Sequence, residues 1–198
     1  MCHPEVPAGQ AAPEVEREEV AISAAGGATM PALLATPGHG SAPGVLVVAD
    51  VYGRSPFYEN LAARLATAGF SALLPDFFFR EGPLPDRSIE AASARRSQLN
   101  ERRALEDLNS AVDWLRARTR TEEAARTGTV GCCMGGTLVL DLATKRRDLA
   151  TVCYYGFPAG SRAGENNLPA PLDVLDDMSG PILGFWGDQD EGVGMPNV

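Results

Sequence analysis

Residues 127–145 read Thr-Gly-Thr-Val-Gly-Cys-Cys-Met-Gly-Gly-Thr-Leu-Val-Leu-Asp-Leu-Ala-Thr-Lys, and the parsing of this stretch decides the fold. Thr127 to Cys132 has the length and composition of a short buried strand, and Thr137 to Lys145 reads as a helix. Between them stands Gly131-Cys132-Cys133-Met134-Gly135-Gly136. A Gly-x-nucleophile-x-Gly pentad at a strand-to-helix junction puts its central residue, here Cys133, on a tight and strained turn. The residues two before and two after crowd together there, so both are best glycine. Such a turn lifts the Cys133 Sγ to the carboxyl edge of a sheet and aims the N–H of Met134 toward an incoming carbonyl. A helix N-terminus also favours the thiolate. The competing reading is a glycine-rich turn with a core cysteine; the strand-turn-helix setting favours the nucleophile.

Outward from this point the chain keeps alternating. Glu18 to Ser23 and Thr29 to Ala35 look like two strands around Gly26-Gly27, a hairpin signal. Pro37-Gly38-His39-Gly40 reads as a loop. Val45 to Val48 is a continuous β-branched run, the mark of a strand covered on both faces. Phe57 to Ala68 is helical, with Leu61 and Leu65 on one face and Gly69 as a stop. Ser71 to Leu74 is the next strand, ended by Pro75-Asp76. Ser88 to Arg118 contains a long amphipathic helix, with Leu105, Leu108, Val112 and Leu115 three and four apart. Ala150 to Tyr155 and Ile182 to Trp186 are the last strands, joined by a Pro/Gly/Asn-rich connection with a short helical stretch near Leu172 to Met178. This order predicts an α/β fold, a mostly parallel sheet with helices on both faces. Ligands then bind at the carboxyl ends of the strands. Asp50-Val51, Pro75 to Arg80, Cys133, Tyr155-Gly156 and Gly187 to Asp190 all fall there.

The 198 residues suffice for one well-buried domain, expected over 17–198 behind a loose Pro/Ala/Glu-rich arm at 1–16. A net charge of −9 argues against nucleic acid and against anionic membranes as partners. No apolar run approaches the length of a membrane span, and the first residues lack the apolar core of a secretion signal. Cys2, Cys132, Cys133 and Cys153 form neither a disulfide framework nor a zinc spacing, so reduced thiols in the cytoplasm are expected. Neither a metal nor another cofactor is called for. Monomer and homodimer both stay open.

Five blocks carry a resemblance: Val48-Ala49-Asp50-Val51-Tyr52-Gly53, Leu74-Pro75-Asp76-Phe77 with Arg80, Val130 to Gly136, Tyr154-Tyr155-Gly156, and Gly187-Asp188-Gln189-Asp190. In this order, each at a strand end, they resemble the dienelactone hydrolase family of small α/β hydrolases, from about Glu18 to Met195. The resemblance implies a Cys-Asp-His triad with Cys133 as nucleophile and Asp190 as the carboxylate that orients an imidazole. Asp190 also follows a buried strand by a short turn, as a triad acid does; Asp188 competes at the same turn. Val51 and Met134 would supply oxyanion-hole N–H groups. Arg80 falls where the family grips a substrate carboxylate, and Phe77-Phe78-Phe79 beside it is read as pocket wall or core. Asp50 stands where the family commonly has a glutamate that helps deprotonate the cysteine. Tyr52 and Tyr155 would line the site.

Histidine is the departure. Only His3 and His39 are present; one is in the arm, and the other precedes the third strand at the amino end of the sheet. The family's histidine follows the acid by one more helix and strand, whereas Asp190 is followed only by Glu191 to Val198. The chain is therefore expected to stop short of the last strand and helix, to expose apolar residues near Ile182 to Trp186, and to be inactive as it stands. Three functions follow. The first is a hydrolase that opens a lactone or small carboxylate-bearing ester through a Cys133 thioester. The second is an inactive hydrolase fold binding small molecules or a partner. The third and weakest is a redox sensor using Cys132-Cys133.

Overall fold

The computed structural model describes residues 5–6, 13–38, 42–119, 127–160 and 168–198. The described residues form seven strands: β1 (Glu16–Ser23), β2 (Thr29–Thr36), β3 (Gly44–Val48), β4 (Ser71–Pro75), β5 (Thr127–Cys132), β6 (Leu149–Tyr154) and β7 (Ile182–Phe185). They form one sheet in the order β1-β2-β4-β3-β5-β6-β7. β1 and β2 pair antiparallel around a 3-10 turn at Ala25–Gly27, and β2 runs antiparallel to β4. Every other neighbour is parallel. The fold is thus a mostly parallel α/β-hydrolase sheet, with a leading hairpin at one edge.

Among the described residues four α-helices cover it: α1 (Pro56–Thr67), α2 (Ile89–Arg96), α3 (Glu101–Arg118) and α4 (Met134–Lys145). Pro56 occupies the first turn of α1, where a missing N–H costs nothing. Gly69 ends the helix with φ 93, while Phe70 N–H donates to the Leu65 carbonyl and Gly69 N–H to Ala66, the paired bonds of a Schellman stop. On α3 the stripe Leu105, Leu108, Val112 and Leu115 is buried as its spacing predicts. The segment from Ser88 is two helices, however. Asn100 interrupts it because its side-chain oxygen accepts the Arg103 N–H at 3.1 Å and starts a new N-terminus.

The core lies between the sheet and these helices. All five residues of β3 and of β4 are buried, as a strand sandwiched on both faces must be. Phe77 and Phe78 belong to this core, and Phe79 is only half-buried. On β5 and β6 one face is sealed by α4. On the other, Val130, Val152 and Tyr154 line an apolar groove beside Phe57, Leu61 and Leu65 of α1. Ile182, Leu183 and Phe185 of β7 are exposed. Among the described helices none is long and apolar enough to cross a membrane.

Candidate active site

The junction of β5 and α4 has the geometry that its glycines demand. Cys133 adopts φ 56 and ψ −122, a conformation that strains any residue with a Cβ. Its N–H donates to the Tyr154 carbonyl at 2.9 Å, and its carbonyl accepts the Thr137 N–H at 3.1 Å, so strand and helix both hold the turn. A Cβ on Gly131 would collide with the Gly135 carbonyl, and one on Gly135 with the carbonyls of Val48 and Ala49. The pentad therefore reflects close backbone approach, and only hydrogen atoms fit.

The three described thiols differ. Cys132 and Cys153 are buried, and burial pushes each up to about 11. For Cys132 hydrogen bonds from the hydroxyls of Tyr58 and Tyr155 offset part of that rise, and the carboxyl of Asp50 adds to it. Cys133 alone of the three is partly open. Brief iodoacetamide treatment at pH 8, followed by peptide mapping, should therefore label Cys133 at least about tenfold faster than Cys132 or Cys153. Equal labelling of Cys132 would contradict this order of exposure. Cys2 and both histidines, His3 and His39, lie outside the described residues.

Strand register decides what stands beside Cys133. Val48 of β3 pairs with Gly131 of β5, so two residues further Asp50 and Cys133 leave adjacent strands side by side. Cys132 pairs with Tyr154 of β6, which brings Tyr155 to the other flank. Asp50 is wholly buried; one carboxylate oxygen accepts the Tyr52 N–H at 2.9 Å, and its carbonyl accepts the Gly53 N–H at 2.9 Å. Val51, buried, is the next residue of this tight turn. Met134 opens α4, and first-turn amides have no intrahelical acceptor. Tyr155 is strained too, at φ 40, with its N–H donating to the Phe185 carbonyl at 2.7 Å.

Asp190 ends a turn one strand beyond Tyr155. Its Oδ1 accepts the N–H groups of Gly192 and Val193 at 2.9 and 3.2 Å, and it is half-buried while Asp188 is exposed. Between the two carboxylates, Asp190 is the one its surroundings orient. Cys133, Tyr155 and Asp190 thus follow β5, β6 and β7 along one sheet edge. Arg80 is placed otherwise. Its guanidinium forks onto Asp107 of α3 at 2.9 to 3.2 Å, donates to the Ala25 carbonyl at 2.9 Å, and lies on the Phe79 ring. Asp107 is buried and accepts the Ala25 N–H as well. Arg80 therefore ties β4, α3 and the hairpin turn together. A substrate carboxylate would have to displace Asp107 to reach it, so the geometry does not offer it as an open clamp.

Three nearby side chains gave no signal in the sequence. The Tyr58 phenol is wholly buried under the elbow, and its ionisation is driven far upward by burial and by neighbouring Cys132, Asp50 and Tyr155. Trp186 Nε1–H donates to the Gly156 carbonyl at 2.8 Å and braces the loop after β6. Arg95 of α2 donates to the Val51 carbonyl at 3.2 Å. Tyr58 reads as an ordinary core aromatic and Arg95 as one of many helix arginines; only folding brings them here. Among the described residues no cluster of three His, Cys, Asp or Glu side chains could hold a metal ion.

The comparisons with known proteins bear on this geometry. The profile of the dienelactone hydrolase family matches residues 30–198. A carboxymethylenebutenolidase of Rhodococcus opacus is 36% identical over 161 residues, which are 81% of this chain and 62% of that protein. Carboxymethylenebutenolidase 2 of Cupriavidus pinatubonensis is 34% identical over 157 residues, 79% of this chain and 63% of its own length. This chain therefore spans a little under two thirds of these curated relatives. A Klebsiella pneumoniae protein assigned to the dienelactone hydrolases superposes with a TM-score of 0.84 at 27% identity, covering 93% of this chain and 78% of that one. Profile, relatives and superposition agree, and the chain belongs to the dienelactone hydrolase family.

Proposed function

We propose that this chain is the body of a hydrolase that opens a lactone or small ester through a thioester on Cys133. The observation that supports this most is Cys133 itself, strained and partly open at the carboxyl edge of the sheet, with Asp50 and Tyr155 leaving the neighbouring strands beside it. Thiols are not held at positive φ for packing, since strain of this kind costs about 1–3 kcal/mol.

In this scheme the Cys133 proton passes to Asp50, and sulfur adds to the carbonyl carbon. The oxyanion takes hydrogen bonds from the N–H groups of Val51 and Met134, each worth roughly 3 kcal/mol in such sites. The ester C–O bond then breaks, and the alkoxide leaves with the proton that Asp50 took from the thiol; in a lactone it stays tethered as a hydroxyl. Water hydrolyses the thioester and restores the thiol. Asp190 is suited to orient an imidazole in this second half, and Tyr52 and Tyr155 to border the substrate. The free, buried Cys132 and Cys153 fit a reducing compartment such as the cytoplasm, and the net charge of −9 suits a small-molecule partner better than nucleic acid.

A second reading is binding or acylation without turnover, since among the described residues no histidine stands beside Cys133. A p-nitrophenyl ester separates the two, because nitrophenolate leaves without needing a proton. Mixing the protein with such an ester should release about one equivalent of nitrophenolate in a burst and leave an acyl mass on the Cys133 peptide. A burst alone supports the second reading, and steady release after it the first. No burst and no adduct would refute Cys133 as nucleophile.

A further inference from the structure

Tyr58 is a buried polar group under the elbow that the reaction scheme leaves unused. Pro56 and Phe57 open α1, and Tyr58 follows in the first turn. The buried face of the helix continues through Asn60, Ala62, Ala63 and Ala66. Small residues there let α1 lie close on β2, β3 and β4. The Tyr58 side chain is wholly shut from solvent, with the Phe57 ring edge-on to it at 5.0 Å.

Its hydroxyl meets the Asp50 carboxyl and the Cys132 thiol. Strand register explains the meeting. Val48 pairs with Gly131, so Ala49-Asp50 and Cys132-Cys133 leave β3 and β5 side by side. The hydrogen bonds the phenol makes there are stretched, and none reaches full geometry. A phenylalanine would fill the same space without enclosing a polar atom, and a buried hydroxyl short of its hydrogen bond weakens a fold. Hydrogen bonds of catalytic groups are often long in the resting protein and tighten as the reaction proceeds.

Burial first, then Cys132, Asp50 and Tyr155, drive the ionisation of Tyr58 far upward, so the phenol keeps its proton and remains a donor. Asp50 is wholly buried as well, and a buried carboxylate needs donors. Four groups face it. The Tyr52 N–H of its own turn donates at 2.9 Å, Tyr58 comes from α1, Cys132 from β5, and the Arg95 guanidinium acts on it from α2. The Tyr52 amide is fixed by the turn, whereas a phenol O–H can rotate to follow the charge. Sulfur is the weaker acceptor of the two that Tyr58 meets.

We propose that Tyr58 is a positioning residue, whose hydroxyl holds the Asp50 carboxylate ready to take the Cys133 proton. This rests on Cys133 being the nucleophile and Asp50 its base. Tyr58 itself touches neither the substrate nor the reacting sulfur.

The test is the pH profile of the nitrophenolate burst with p-nitrophenyl acetate, in Tyr58→Phe beside wild type. The substitution removes one oxygen and keeps every ring contact. A carboxylate that loses a donor takes up a proton more readily, so the acid limb of the burst should move up by about one pH unit. Tm should stay within about 2 °C of wild type or rise, because the lost hydrogen bonds were stretched. A merely structural tyrosine would lower the burst by one factor at every pH and leave the limb in place; an unmoved limb overturns the proposal, whatever the Tm. Asp50→Asn should abolish the limb, and adding Tyr58→Phe to it should change the rate of acyl-mass gain on Cys133 less than twofold. A further drop as large as that seen with Asp50 present shows the phenol acting elsewhere and also overturns the proposal. A limb that survives in Asp50→Asn removes the base, and no burst in wild type removes the nucleophile; either takes the proposal with it. An unmoved limb in Tyr58→Phe, with the Asp50→Asn result as expected, counts against Tyr58 alone.

Discussion

Replacing Cys133 with alanine should abolish the nitrophenolate burst, with a loss on the order of 10³-fold or more in acylation rate. No neighbour can stand in. Cys132 is adjacent in sequence but ends β5 with its thiol buried and held at about 11. Cys153 faces the Gly156 backbone on β6, with an equally raised thiol. Cys132→Ala should accordingly keep the burst within a few-fold of wild type. The measurement is stopped-flow release of nitrophenolate, with intact-mass detection of the acyl adduct. A burst that survives in Cys133→Ala would move the nucleophile elsewhere, and one that fails only in Cys132→Ala would move it by one residue.

Gly135→Ala should be the most damaging small substitution in the chain. The added methyl would run into the carbonyl oxygens of Val48 and Ala49, which are main chain at the buried end of β3 and cannot swing aside. Either α4 lifts from the sheet or β3 shifts, and β3 carries Asp50 and Val51 into the site. Overpacking against backbone at such a point should cost about 4 kcal/mol or more, or a fall in Tm of roughly 10 °C in a domain of this size. Gly187→Ala is the control, because its nearest contact would be Asp190 Cβ at 4.0 Å; its Tm should stay within about 2 °C. Equal melting of Gly135→Ala and wild type would show that the elbow has slack which the close approach denies.

Both expectations depend on features that were visible in different ways. The elbow was legible because its chemistry is local: a strand, a strained residue, a helix, and glycines at fixed offsets where any Cβ collides. The parallel sheet was legible for a related reason, since strands covered on both faces must read as unbroken apolar runs, and Val45 to Val48 does. The break at Asn100 is masked in the sequence, because its cap competes with helix-forming residues on both sides of it.

The order of the elements, and the edge at which the reactive groups gather, are encoded along the chain. Apolar periodicity and turn residues are properties of neighbouring positions, and a parallel sheet sends every loop of interest to one side. Which partner each charge finds was decided only in three dimensions. Arg80 and Arg95 look alike as residues, each a basic side chain near a strand end or on a helix. Folding brings Asp107, a buried carboxylate 27 positions further on, against Arg80, whereas Arg95 bonds main-chain carbonyls and stacks on the Phe78 ring, with Asp76, Glu81 and Asp50 acting on it without a direct ion pair among the described residues. Pairing across such separations depends on how α2 and α3 pack on the sheet, and no local spacing encodes it.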